Sequence, residues 1–277
     1  MQTSSKPLPT GEQAKISVIM SVYNGRPYLK EAIRSILTQT YKNFEFIIVD
    51  DASTDDSLKY LKSLKDQRII IIKNKKNLGL AASLNKALQI SSGNFIARMD
   101  ADDISLPERF KSQLDYLSKH KEVDLCGSWV DLIDEKGQKI GEKKYPTNNL
   151  DIKKALCWYP PIIHPTLMSK AKVFKVLHGY KKEYDMAEDY ELLLRAKNTF
   201  TMANVDRKLL LWRLWDKRRS RQEMDKMDKI DLKIKIEALR KGYFGPLYLF
   251  VVIKKIIMTY MLPLSLKTQM AKLVKLA

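Results

Sequence analysis

The sequence predicts an α/β fold, a doubly wound and mostly parallel sheet with helices on both faces. Three observations carry that reading. The runs Ile16–Val22 and Phe44–Val49 are predominantly apolar rather than alternating, as strands buried on both faces are. Helical patterns separate successive runs at the length that a crossover between parallel strands requires. The chain has 277 residues, 45% of them apolar, which suits one large domain with an appendage and excludes a disordered chain. Cys126 and Cys157 are the only cysteines, so a disulfide-stapled scaffold is excluded and a reducing compartment is expected.

Residues 1–15 are polar, contain Pro7, Pro9 and Gly11, and lack the apolar run of a secretory signal; they read as a mobile leader. Ile16–Val22 is the first strand, closed by Asn24 and Gly25, and a helix runs from Pro27 to Leu37. The unit repeats: a strand at Phe44–Val49 and a helix at Ser57–Leu64, then a strand at Arg68–Ile72 and a helix at Leu80–Ile90. Asn94–Met99 is the fourth strand. Ser105, Pro107 and Glu108 read as a capping box that opens a helix to about Lys119. Strands are expected at Val123–Val130, near Lys139 after the turn 134–137, at Ile162–Met168 and at Leu209–Leu214, with a helix over Ala187–Lys197. From Glu223 onward the chain reads as helical and basic, which divides it into a leader (1–15), a catalytic domain (16–221) and a tail (222–277).

Ligands of open parallel sheets bind beyond the carboxyl ends of the strands. Three such ends carry unusual residues: Ser21-Val-Tyr-Asn24, Asp50-Asp-Ala-Ser-Thr-Asp55 and Asp100-Ala-Asp-Asp103. Asp50, Asp51, Asp100, Asp102 and Asp103 are expected to crowd one sheet edge, repelling one another and raising their pKa values. A divalent cation would relieve that repulsion, and hard oxygen donors suit Mg2+ or Mn2+ rather than zinc. Ser53 and Asp55 also have the plainer reading of helix-capping residues.

With these residues in view, the chain resembles the family 2 glycosyltransferases of the GT-A fold. The resemblance rests on Ile16-Ser-Val-Ile-Met-Ser-Val-Tyr-Asn24, Val49-Asp-Asp-Ala-Ser-Thr-Asp55, Asn77-Leu-Gly-Leu80 with Asn85, Ala97-Arg-Met-Asp-Ala-Asp-Asp103 leading into Leu106-Pro-Glu-Arg109, and Ala187-Glu-Asp-Tyr-Glu-Leu-Leu-Leu-Arg195. It implies transfer of a sugar from a nucleotide diphosphate sugar, a UDP-sugar, to a hydroxyl of a glycan or lipid-linked acceptor in surface polysaccharide synthesis. By the same resemblance Ser21, Tyr23 and Asn24 line the nucleotide site, with the Tyr23 ring by the base. Asp51 accepts from the uracil imide, Asp100 approaches the ribose, Asp102 ligates Mn2+ or Mg2+, and Arg98 adds charge compensation. Asp189 is the implied base. A carboxylate at a helix start is expected to be held ionised by the helix dipole, while Glu188 is expected to be structural.

One position departs from the pattern. Relatives often carry a His after the late Trp-Arg dipeptide; here Trp215 follows Trp212-Arg-Leu, which puts metal ligation from that loop in doubt. Arg218, Arg219 and Arg221 are alternative diphosphate contacts, although a solvent-facing basic loop is the ordinary expectation. His164, beside Pro165, reads as structural.

Charge is concentrated at the end of the chain. Residues 207–277 hold 18 Lys plus Arg against 6 Asp plus Glu, which is +12 of the formal +18. The apolar pieces there, Pro246–Ile253 and Ile256–Leu262, are too short to span a bilayer and are separated by Lys254 and Lys255. Aromatic residues at 243, 244, 248, 250 and 260 complete a composition suited to an anionic membrane surface, so the protein is expected in the cytoplasm at the inner face of the membrane. The plainer alternative is a terminal helix packed on the catalytic domain. A nucleotidyltransferase would have a Gly-rich basic loop after the first strand, where only Asn24-Gly-Arg26 stands. A noncatalytic nucleic-acid binder would not place carboxylates at its strand ends, so no nucleic acid is expected as a partner.

Overall fold

The computed structural model describes residues 13–216 and 218–261, apart from the side chains of Ser220 and Arg221. Four strands form the parallel half of the sheet: β1 (Ile16–Val22), β2 (Phe44–Asp50), β3 (Ile69–Lys73) and β4 (Phe95–Arg98), in the order β3-β2-β1-β4. Helices α1 (Leu29–Leu37), α2 (Ser57–Ser63) and α3 (Leu80–Ile90) make the crossovers. The side chains of β1 and β2 alternate between two cores, as a period of two dictates. Ile19, Ile47 and Val49 enter one cluster with Ala81, Leu84 and Ala87 of α3; Val18, Met20, Phe46 and Ile48 enter the other with Ala32, Ile33 and Ile36 of α1.

The second half of the sheet is mixed. β5 (Ile104–Ser105), β6 (Leu125–Ile133), β7 (Lys139–Lys143), β8 (Met168–Lys170) and β9 (Met202–Arg213) extend the order to β3-β2-β1-β4-β8-β6-β9-β5, with β7 on β6. β8 runs antiparallel to both β4 and β6, whereas β6 and β9 are parallel. Helices α4 (Arg109–Lys119), α5 (Asn149–Ala155), α6 (Ala171–Val176) and α7 (Glu188–Ala196) cover the faces.

Several local expectations give way to longer-range structure. Ser105 lies in β5, opposite Leu210, and Glu108 makes no side-chain cap bond to α4. The cap comes instead from fully buried Gln39, whose Oε1 accepts from the Phe110 N–H at 3.1 Å while its amide donates to Leu106 O at 2.7 Å. The Ile162–Met168 run is not a strand: Pro165, which has no N–H for a ladder, sits in a 3-10 turn at His164–Thr166, and pairing starts only at Met168. β9 begins seven residues before the expected Leu209, and Val123–Val130 moves to Leu125–Ile133. The end of the leader is not mobile. Ala14 is buried, its carbonyl accepts from the Tyr41 hydroxyl, and Lys15 pairs with Glu45 at 2.8 Å; residues 1–12 lie outside the described residues. Burial of Glu45 works against its ionisation, but donors from Lys15, Ser17 and Ser92 hold its carboxyl down at about 2.

The tail resolves the choice between packing and exposure by doing both. After the short helix α8 (Arg219–Gln222), helix α9 (Met224–Arg240) and helix α10 (Tyr248–Tyr260) bury Leu232, Ile234, Ala238, Tyr248, Val251 and Val252 in the same cluster as Tyr190, Leu193 and Leu194 of α7. Buried Lys235 pairs with Asp231 at 2.8 Å and reaches the Tyr190 hydroxyl at 3.1 Å. The opposite side of α10 exposes Leu249, Phe250, Ile253, Ile256, Ile257 and Tyr260. Residues 262–277, which include the end of the expected apolar stretch, lie outside the described residues. Among the described residues no helix is long and apolar enough to cross a membrane.

Candidate active site

The ends of β1 and β2 are stitched into one platform. Asn24, with φ 52°, donates its N–H to Ser53 Oγ at 3.1 Å, and its Oδ1 accepts from the Thr54 N–H at 2.8 Å and the Asp55 N–H at 3.3 Å. Asp55 accepts from the Arg26 and Ser57 N–H groups, so it has the capping character expected of it. Ala52, at φ 61°, occupies the left-handed region that costs a β-carbon residue about 1–2 kcal/mol. Ser21 is half-buried at the platform's base and the Tyr23 ring is 51% exposed above it, open to a stacking partner.

The five strand-end carboxylates do not form one cluster. Asp50 is buried, with one oxygen 3.4 Å from the Ser53 N–H and the other without a partner. Asp51 clamps the loop before α3: Oδ1 accepts from Asn74 Nδ2 at 2.7 Å and the Leu78 N–H at 2.8 Å, and Oδ2 from the Gly79 N–H at 2.9 Å. Gly79 is required there, because at φ 88° an added Cβ would meet Asp185 Oδ2 at 2.8 Å.

Asp100, Asp102 and Asp103, just after β4, do converge, each offering an oxygen within 4.8 Å of the others. Their charge is already partly compensated. Arg98, 2% exposed, pairs with Asp100 Oδ2 at 2.5 Å, and Arg218 approaches Asp100, Asp102 and Asp103 at 3.5, 3.9 and 4.0 Å. Burial works against ionisation of Asp100, yet Arg98 and Arg218 outweigh it and hold its carboxyl below the usual range. Asp103 is pushed well up, first by burial and then by Asp102. The expected mutual rise in pKa therefore holds for Asp103 and reverses for Asp100.

The residues fit a hard divalent cation: the donor set is all carboxylate oxygen, and buried Asp103 Oδ2 has no hydrogen-bond partner. Trp215 sits beside this set. Its indole N–H, a donor only, reaches Asp102 Oδ2 at 2.8 Å, while its ring meets Tyr28 edge-on at 5.2 Å. Arg213 locks the surrounding loop through Asp103 Oδ1, Asp102 O, Asp134 O and Glu31. Arg219 turns away to Asp185 at 2.6 Å, and the Arg221 side chain lies outside those described. No local signal in the sequence foretold the placement of Trp215 and Arg218, since chain more than a hundred residues away brings them to the cluster.

Asp189 opens α7 near enough for the charges of Arg98 and Asp100 to act on it. At this helix start burial raises its carboxyl above the usual value, against the Tyr190 N–H and Arg98. Glu188 is buried and pushed up to about 8, by burial first and Asp189 next. It accepts from the Met186 N–H at 2.9 Å, a structural bond that supports a residue at φ 100°. His164 is kept neutral by burial and Arg98, with Nε2 2.9 Å from the Tyr180 hydroxyl, so it too is structural.

Comparison with known proteins accounts for this arrangement. An O-antigen biosynthesis glycosyltransferase of Escherichia coli, WbnJ, is 37% identical over 211 residues, 73% of this chain and 80% of its own. The TarS 1-349 structure from S. aureus in complex with UDP-GlcNAc superposes with a TM-score of 0.65 at 19% identity, over 81% of this chain and 66% of that one. The mannosyltransferase PcManGT of Pyrobaculum calidifontis, solved with GDP-Man and Mn2+, superposes at 0.63 and 17% identity over 99% and 84%. These likenesses show the GT-A fold, with its central sheet flanked by helices. The sequence model for "Glycosyl transferase family 2" matches residues 17–177, more than half of the chain and all three of its acidic or polar strand ends; the protein is a glycosyltransferase and belongs to that family.

Proposed function

We propose that the protein transfers a sugar from a nucleotide diphosphate sugar, a UDP-sugar, to a hydroxyl of a glycan or lipid-linked acceptor, with inversion and with a divalent cation. The reading rests on one observation above all: the convergent Asp100, Asp102 and Asp103 lie beside the helix start that carries Asp189. The names of its relatives support a role in surface polysaccharide synthesis.

The base of the nucleotide stacks on exposed Tyr23, above Ser21 and Asn24. Asp51 keeps one acceptor site on Oδ2 for an imide N–H, its other sites being taken by Asn74, Leu78 and Gly79. Asp100, with Arg98 behind it, faces the ribose. Asp102, fixed by Trp215, would hold Mn2+ or Mg2+, with Asp103 and Asp100 alongside. A bound cation supplies neutralisation of the diphosphate charge that builds as the nucleotide leaves. Asp189 takes the proton of the acceptor hydroxyl while that oxygen bonds to the anomeric carbon. The bond from that carbon to the phosphate oxygen breaks at the same time, and its electron pair departs with the nucleoside diphosphate. Partial burial, which raises the basicity of Asp189, suits this role.

Two substitutions test the assignment. Asp102→Asn is expected to weaken donor binding in Mn2+, and Asp189→Asn to spare donor binding but abolish transfer. Full transfer by Asp189→Asn removes it as the base.

We also propose that the outward face of α10 rests on an anionic membrane surface on the cytoplasmic side. Phe250 is 68% exposed, Ile253 and Ile257 lie on the same helix, and Lys254 of that helix is exposed and within reach of headgroups. Deleting the tail would uncover α7, so point changes are the cleaner probe. Phe250→Ser with Ile257→Ser is expected to lower sedimentation with phosphatidylglycerol vesicles several-fold; undiminished binding refutes the placement.

A further inference from the structure

We propose that Arg218 is the resident counter-ion of the acidic cluster, displaced when a divalent cation arrives with the nucleotide, so that the cation binds well only together with the diphosphate. The proposal rests on reading the cluster as the donor's cation site. It concerns a residue that the strand-end motifs do not contain.

The geometry has three parts. First, the guanidinium of Arg218, with a side chain 15% exposed, faces all three carboxylates at once, Nη2 toward Asp100 and Asp103 and Nε toward Asp102. Second, its distances of 3.5 to 4.0 Å are longer than the roughly 2.7–2.9 Å of a charge-assisted hydrogen bond. Its firmer contacts lie outside the cluster, Nη1 donating to Arg213 O at 3.1 Å and the guanidinium lying 4.9 Å from the centre of the Trp212 ring. Third, the neighbours of the cluster are fixed: Arg98 pairs with Asp100 at 2.5 Å, and Trp215 and Arg213 hold Asp102 and Asp103. Among the described residues, Arg218 is the one cation at the cluster held by charge rather than by close bonds.

A dication would draw these oxygens to about 2.0–2.3 Å, into the space that the guanidinium faces, and the two positive groups repel each other there. Binding of the cation alone must expel Arg218 with nothing to receive it. A diphosphate changes the balance, because its oxygens offer the guanidinium a bidentate partner. Cation and nucleotide each remove a cost that the other would meet alone, and linkage makes the effect reciprocal.

The test measures Mn2+ binding to the full chain from the electron paramagnetic resonance signal of free Mn2+, with the metal alone and then with UDP or GDP. Wild type is expected to bind Mn2+ at least about ten-fold more weakly without nucleotide than with it, within the 5–150-fold range usual for such coupling. Arg218→Gln is expected to bind Mn2+ alone about ten-fold more tightly than wild type and to lose most of the gain from nucleotide. Arg218→Lys, which keeps the charge but not the bidentate fork, is expected to bind Mn2+ alone as weakly as wild type and to recover less of the gain from nucleotide. Arg219→Gln alters the same loop at a residue paired with Asp185 and Glu223, and is expected to leave Mn2+ affinity unchanged. Unchanged affinity in Arg218→Gln, an equal gain in Arg219→Gln, or tight binding by wild type without nucleotide overturns the exchange while leaving the cation site standing. If no form of the protein binds Mn2+ even with nucleotide, the cation site falls and the exchange with it.

Discussion

Replacing Asp51 by Asn measures how far this carboxylate serves the fold rather than the ligand. Asp51 is 2% exposed and accepts three hydrogen bonds, two on Oδ1 and one on Oδ2. The amide of Asn has a single acceptor oxygen. Placed at Oδ1 it keeps Asn74 and Leu78 but turns an N–H toward the Gly79 N–H; the flipped orientation loses two bonds instead of one. The smaller loss is one bond to a charged acceptor, worth about 1.5–3 kcal/mol, while the Gly79 N–H keeps its second partner, Asn77 Oδ1 at 3.1 Å. At ~2–4 °C per kcal/mol for a domain of this size, the melting temperature should fall by about 3–12 °C. Thermal unfolding followed by circular dichroism, without nucleotide, gives the number. A midpoint equal to wild type would refute the clamp and return Asp51 to a purely ligand-binding role.

Three further outcomes follow from the electrostatics and geometry of the site. Because burial raises the Asp189 carboxyl, kcat/KM should fall on acidification with an apparent pKa above the ~4 of an ordinary aspartate; a profile flat down to pH 4 would contradict this. Glu188, pushed up to about 8, stays protonated in the native state where the unfolded chain has ionised, so folding stability should drop as pH rises from about 4.5 to about 8. Glu188→Gln escapes that drop, and its urea midpoint should gain on wild type at pH 9 but not at pH 4; equal gains at both would exclude the titration. Trp215→Phe keeps a ring against Tyr28 but removes the donor to Asp102, and should raise the Mn2+ concentration for half-maximal transfer by about ten-fold, the scale of a lost bond to a metal ligand; an unchanged Mn2+ titration would show that the indole does not orient Asp102.

What the sequence made legible was whatever its own neighbours decide. β1, β2 and β4 read correctly because continuous apolar runs fit only a sheet covered on both sides, and the turn residues that end them place the acidic segments. The failures share a cause in long-range pairing. Ser105 had every local mark of a helix cap, yet its partner Leu210 lies over a hundred residues away and the cap is supplied by Gln39. β9 was seen only at its apolar end, because its first part carries Asn204, a polar residue buried where Pro146 O and Pro161 O receive its amide. In the site, the carboxylates could be listed from their motifs, but their division into a loop clamp at Asp51 and a convergent set at Asp100, Asp102 and Asp103 could not. The helix start at Asp189 can be read from sequence, whereas the burial that raises its carboxyl cannot.

The packing of α9 and α10 on α7 bears on the order in which the molecule becomes competent. The Tyr23 platform and the acidic residues after β4 lie within the first 103 residues, whereas Arg213 and Trp215, which hold Asp103 and Asp102, come more than a hundred residues later. The helix that carries Asp189 has its outer face closed by Leu232, Ile234, Ala238, Tyr248, Val251 and Val252, which are synthesised after every strand of the sheet. A nascent chain can therefore form its first strands early, while the acidic loop waits for Arg213 and Trp215 and the helix that carries Asp189 stays half-covered. Activity should appear only when synthesis reaches α10, the helix whose other side remains free for a surface.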